Sequence, residues 1–118
     1  MATKRHIRVV VCPPFENPQL VDIEDRLAVF QRIVGGGIEK VSAKYNIKPW
    51  TDRSLAIICN DNGIREGLSR HHFNIHGTFF WVRTVASGPA SGNWHSVNYQ
   101  DILEIARLLA ADKVQRGL

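Results

Sequence analysis

Ser54-Leu-Ala-Ile-Ile-Cys-Asn-Asp-Asn-Gly-Ile-Arg-Glu-Gly-Leu68 carries an apolar run straight into a polar turn. Leu55 to Cys59 has the continuous apolar character of a strand buried on both faces. Asn60-Asp61-Asn62-Gly63 follows, and an Asn-Gly pair supplies the positive φ angles that a tight hairpin turn requires. The expectation is a β-hairpin, with Ile64 to Leu68 as its return strand. Gly77-Thr-Phe-Phe-Trp-Val-Arg83 lies just downstream. Its alternation, continued to Val85, predicts a long strand with Phe79, Trp81, Arg83 and Val85 on one face and Thr78, Phe80, Val82 and Thr84 on the other.

Outward from this centre, His6 to Cys12 reads as a Val-rich strand ended by Pro13-Pro14. Leu20 to Ile23 reads as a short second strand beside it. Glu24 to Val34 has apolar residues at helical spacing (Leu27, Phe30, Ile33, Val34), with Asp22 as the expected N-cap. Gly35-Gly36-Gly37 stops that helix, Gly35 suiting the left-handed C′ position. Ile38 to Ala43 alternates like a strand, and Tyr45 to Arg53 reads as a loop with Trp50 over the core edge. Ser87 to Gly92 reads as a flexible turn, and Trp94 to Val97 as a last short strand.

Asn98 is then an N-cap with Asp101 as its capping-box partner, opening a helix to about Asp112. Its expected buried stripe is Ile102, Ile105, Ala106 and Leu109, widened by Leu103. Together these runs predict an α+β domain: a mostly antiparallel, twisted sheet of about five to six strands with two helices packed on one face. The 118 residues form one domain, with residues 1–5 as a frayed arm and 98–113 as the C-terminal helix.

Hydrophobic residues make up 44% and charged residues 22%, the balance of an ordinary globular protein able to bury a core without metal or disulfides. Cys12 and Cys59 both sit in apolar runs and read as buried free thiols, with a disulfide between neighbouring strands as the alternative. The Val9 to Cys12 run is too short for a signal core or a membrane span, so the expectation is a cytoplasmic protein. The net charge of +4 favours anionic partners, but only Lys4-Arg5-His6-Ile7-Arg8 is densely basic.

The ordered pieces resemble a known family. They are the Val-rich strand ending in Pro-Pro, Val21-Asp-Ile-Glu-Asp25, Ile33-Val-Gly-Gly36 followed by Ile38-Glu39, Leu55-Ala-Ile-Ile-Cys-Asn60 with its glycine turn, and Gly77-Thr-Phe-Phe80. In this order and spacing they resemble the domain-of-unknown-function 3846 family, over roughly residues 7 to 84. The resemblance implies an origin in bacteriophages, plasmids and the bacteria that carry them. It brings no catalytic residue with it. The segment from Trp94 onward lies outside the resemblance and reads as a feature of this chain.

Chemistry-bearing clusters point to binding before catalysis. His71, His72 and His76 share a short segment, but their spacing fits no structural zinc pattern, and no metal or cofactor is expected. The triple glycine follows a helix, whereas a phosphate-binding loop precedes one and carries a lysine. Ser42, Ser54, Ser69, Ser87, Ser91 and Ser96 lack a nucleophile elbow. Arg65, Arg70, His71, His72, Arg83 and Trp94 are the candidate binding surface, a basic and aromatic patch suited to phosphates or stacked bases. The expected activity is non-enzymatic: an accessory protein holding a host protein or an anionic small molecule, with an anti-defence role following from the implied phage setting. The alternatives are a nucleic-acid-binding protein of phage replication or regulation, and a small enzyme with a histidine-containing site. A small open sheet has edges to cover, which admits a homo-oligomer.

Overall fold

The computed structural model describes residues 5–41, 55–84 and 94–115, with side chains as far as Lys113. The elements are β1 (His6–Cys12), β2 (Gln19–Glu24), α1 (Leu27–Val34), β3 (Ile38–Val41), β4 (Leu55–Asn60), a single 3₁₀ turn (His72–Asn74), β5 (Phe79–Thr84), β6 (Trp94–His95) and α2 (Tyr99–Gln115). The strands form one antiparallel six-stranded sheet in the order β2-β1-β5-β4-β3. Beyond Val10, which faces Trp81, β1 leaves β5, and β6 takes its place opposite Arg83 and Thr84. The chain after β6 fills the wedge, because Val97 N–H donates to Arg8 O (2.9 Å) and Ser96 Oγ accepts from Arg8 N–H (2.9 Å). The α+β class and the antiparallel sheet are as the sequence predicts.

The placement of the helices is not. On β5, Phe79 and Trp81 join a cluster with Val10, Leu55, Ile57 and, from α2, Ile105 and Leu108. Phe80 and Val82 join a separate cluster with Ile7, Val9, Ala56, Ile58 and, from α1, Phe30 and Val34. Successive residues of a strand point to opposite faces, so α1 and α2 cover opposite faces of the sheet. Strands with two apolar faces require this arrangement, since helices on one side would leave Phe80 or Trp81 in water.

The second correction falls on the opening stretch. β4 forms as expected and is buried throughout. Ile64 to Leu68 forms no return strand. Residues 61–67 coil instead, through Glu66 N–H to Asn62 O (3.0 Å), Gly67 N–H to Ile64 O (3.1 Å) and Leu68 N–H to Gly63 O (3.0 Å). Both edges of β4 are already taken by β3 and β5, so a return strand has no ladder to join.

Helix ends follow local chemistry with one exception. Gly35 adopts φ 82°, and the N–H groups of Gly35 and Gly36 both return to Gln31 O (2.8 and 3.0 Å), the glycine stop read from sequence. Asp22 is not the N-cap of α1. It lies in β2 opposite Arg8 and pairs with that guanidinium (3.2 Å), while Arg26 occupies the cap position without a capping side-chain bond. Asn98 and Asp101 form the expected reciprocal box, Asn98 Oδ1 accepting from Asp101 N–H (2.8 Å) and Asp101 Oδ2 from Asn98 N–H (2.9 Å). The buried face of α2 is Asp101, Ile105, Leu108, Leu109 and Asp112, whereas Ala106 and Leu103 face solvent. The face is rotated from the expected one because Asp101 and Asp112 are drawn inward by Arg83 and His72.

Cys12 and Cys59 are buried free thiols. Their strands flank β5, with Cys12 opposite Phe79 and Cys59 one residue on from the Ile58–Phe80 pair. Two strand spacings separate them, roughly 9–10 Å, well beyond disulfide reach. No helix among the described residues is long and apolar enough to cross a membrane. The readings of 45–53 and 87–92 as a loop and a turn, and of 1–4 as an arm, lie outside the described residues.

Asp101 is 2% exposed and serves the helix cap and Arg83 at once. Asp101→Ala removes the cap bond and the partner of the guanidinium together, at an expected cost of about 2–4 kcal/mol. Urea denaturation of the variant against the parent measures it, and Asp101→Asn should recover the capping share alone.

Candidate functional site

A concave feature of the surface lies where β4 runs out. Asn60, at the end of β4, is 5% exposed. Its Nδ2 donates to Val34 O (3.1 Å), a carbonyl left open at the end of α1, and to Glu66 Oε2 (3.1 Å). Its Oδ1 accepts from Asn62 N–H (2.7 Å). One side chain therefore ties the helix end, the strand end and the 61–67 coil together. Gly36 and Gly37 permit this closeness, since an added Cβ would lie 3.0 Å from Asn60 Nδ2 and 2.5 Å from Asp61 Oδ2 respectively.

Opposite this wall stands the segment 74–76. His76 Nδ1–H donates to Leu68 O (3.0 Å), which fixes the orientation of the ring. Gly63 lies under it: a Cβ there would come within 2.6 Å of His76 O. Gly63 has no positive φ; among the glycines of this coil, Gly67 has (φ 70°). The Asn62-Gly63 pair thus serves a close backbone contact, where the sequence suggested a hairpin turn. Phe73 and Asn74 both adopt left-handed backbone (φ 56° and 60°), a conformation Asn tolerates and Phe resists. Asp112 holds Phe73 there, its Oδ1 accepting from Phe73 N–H (3.3 Å) and its Oδ2 from His72 Nδ1–H (2.8 Å).

Between the two walls is an open cleft of about 270 Å³. Asn60, Asn62 and Asn74 line it together with Ile64 and Ile75, and the basic Arg65 and His76 and the acidic Glu39 and Asp61 belong to the same lining. Arg70 forms an antiparallel bridge with His76, and bridge partners project to the same side. Arg70 thereby lies beside His76, next to the cleft but outside its lining. Arg65 and Arg70 are exposed and make no ion pair among the described residues.

The six residues singled out in the sequence do not share one surface. Arg65 lines the cleft, and Arg70 lies outside the lining, paired across a bridge with His76. His71 is 4% exposed, donates from Nε2 to Gly77 O (2.6 Å) and packs on Phe79 (centroids 5.0 Å apart). His72 is bonded to Asp112, and Arg83 to Asp101 (2.6 Å). Trp94 lies on the α1 side of the sheet, 4.9 Å from the Phe30 ring. Asn60, Asn62, Asn74 and His76 complete the cleft. The polar run Asn60 to Asn62 reads in the sequence as a turn, and His76 as a member of the histidine cluster with His71 and His72.

Among the described residues no group of three or more His, Cys, Asp or Glu side chains could hold a metal ion. The Cys12 thiol is pushed up to about 12 by burial, which outweighs the opposite pull of the Trp81 indole hydrogen bond. A thiol so raised is a poor nucleophile at neutral pH.

The fold and cleft define a small α+β domain with a polar recess at one end of its sheet. The family described as a domain of unknown function, DUF3846, matches residues 7–109, and the chain belongs to that family. The match extends through β6 and most of α2, so the C-terminal segment is part of the family domain and not a feature of this chain alone. No curated protein and no solved structure matches the chain.

Gly63→Ala forces the 61–67 coil away from His76 and should destabilise the protein by about 1–3 kcal/mol, read as a lower urea midpoint. The raised Cys12 pKa carries a pH signature. Unfolded thiol loses its proton near 9 while the folded thiol keeps it to about 12, so stability falls as pH rises through that window. Cys12→Ala should show a shallower decline between pH 9 and 11 in urea titrations at each pH.

Proposed function

We propose that this domain acts by binding, without catalysing a reaction, and that its ligand is an anionic small molecule held in the cleft at the end of β4. The observation that carries this reading is a recess whose lining brings Arg65 and His76 together with Asn60, Asn62 and Asn74, with Arg70 bridged to His76 just outside it. Guanidinium groups bind phosphate or carboxylate oxygens, and the exposed amides of Asn62 and Asn74 hydrogen-bond the neutral polar part of the same molecule. The recess lies just below the usual size range for ligand pockets, which suits a metabolite or a mononucleotide-sized signal. Glu39 and Asp61, acidic residues of the same lining, orient such a ligand by repelling its charged end.

The setting belongs to the same proposal. The family resemblance implies an accessory protein of a phage or other mobile element, working in the host cytoplasm, where sequestering a host signalling molecule would blunt a defence response. Nucleic-acid binding is less well supported. Arg5, Arg8, Arg26, Arg83 and Arg107 are each paired with a carboxylate, so the positive charge is neutralised piecemeal with no continuous stripe along these residues.

Native mass spectrometry of the protein purified from bacterial cells should reveal a bound anion, and calorimetry with nucleotides and other phosphorylated metabolites should identify its class. Arg65→Ala with Arg70→Ala should weaken that binding at least tenfold, as expected for loss of charge-assisted bonds, with unchanged circular dichroism. Tight binding that survives the double substitution would exclude the cleft.

A further inference from the structure

α2 is apolar on two sides. Its inward face is Asp101, Ile105, Leu108, Leu109 and Asp112. A second stripe runs along the outer side through Tyr99, Leu103, Ala106 and Ala110 to Lys113, all exposed, with Tyr99 at 71% and Leu103 at 49%. Their spacing of four, three, four and three residues is the seam that pairs one helix with another. A helix needing only to cover the sheet has no use for this stripe.

We infer that this face binds α2 of a second copy of the chain, antiparallel, across a two-fold axis near Ala106. The distribution of bulk along the stripe selects that occupant. Tyr99 and Leu103 stand at the N-terminal end, and the small Ala106 and Ala110 near the C-terminal end. Antiparallel pairing sets Leu103 over Ala110 of the second copy, brings Ala106 against its own counterpart at the axis, and places Tyr99 beside the second copy's Lys113, an ammonium at an aromatic ring. Parallel pairing would crowd Tyr99 against Tyr99 and leave the alanines apart.

Charge is self-complementary in the same sense. Arg107 and Glu104 are paired on one flank of the stripe (Nε to Oε2 2.9 Å). A two-fold axis brings that flank from both copies to the same side of the seam, giving two cations and two anions in one cluster. The antiparallel helix dipoles are also favourably opposed. A seam of this length is small among specific interfaces, so the dimer forms in the micromolar range.

Sedimentation equilibrium of the full chain across micromolar concentrations tests this. A monomer–dimer equilibrium is expected, with Leu103→Glu raising the dissociation constant at least tenfold and leaving circular dichroism unchanged. Direction is read by cysteine trapping, since Cys12 and Cys59 are buried. Leu103→Cys mixed with Ala110→Cys should cross-link to a mixed dimer on mild oxidation, and Leu103→Cys alone should not. A chain that stays monomeric at several hundred micromolar, a dimer indifferent to Leu103→Glu, or cross-linking of Leu103→Cys with itself would each overturn the inference.

Discussion

β5 has no solvent face, and the rest of the molecule is arranged around that constraint. Phe79, Phe80, Trp81 and Val82 are fully buried, two on each side of the sheet. A strand with large apolar groups on both faces must be central and must be covered from both sides. β1 and β6 share one of its edges and β4 takes the other. α1 closes over Phe80, whose ring lies 5.7 Å from that of Phe30, and α2 closes over Trp81. The 3₁₀ turn is drawn into the second layer by Phe73, which meets Trp81 edge to face at 5.8 Å.

Polar contacts then set how the covering elements sit. α2 is fastened at both ends to the part of the chain it covers: Asp101 binds Arg83 near its start, and Asp112 binds His72 and the Phe73 amide near its end. These two carboxylates turn the helix so that Ala106 and Leu103 face outward. The rotation that satisfies the buried acids also exposes the Tyr99–Lys113 stripe. On the other face, Asn60 joins the open carbonyl at the end of α1 to the end of β4. The cleft is a consequence of that joint, because the chain must coil away from a β4 whose edges are both occupied.

Local signals were legible wherever a residue acts within a few positions of itself. The glycine stop after α1, the Asn98–Asp101 box and the two-faced alternation of Phe79 to Thr84 depend on neighbours in sequence, and each forms. Signals failed where a distant group competed. Asp22 has the chemistry of an N-cap but pairs with Arg8, fourteen residues earlier. Asn62-Gly63 has the chemistry of a hairpin turn, but β3 and β5 already hold the ladder positions. Of the candidate site, Arg65 and Arg70 were legible as exposed cations. His71, His72, Arg83 and Trp94 were not separable from them, since each has its partner far along the chain or in the core.

By itself the sequence determined the α+β class, the antiparallel sheet, most strands, both helices and membership of the family, all of which rest on short-range periodicity and punctuation. Tertiary structure alone decided which side of the sheet each helix covers, which arginines are consumed by carboxylates, and that Arg65 and His76 line one recess with Arg70 bridged to His76 beside it. The division has a physical cause. Periodicity encodes how much of a strand or helix is buried, and it carries no label for the partner that buries it.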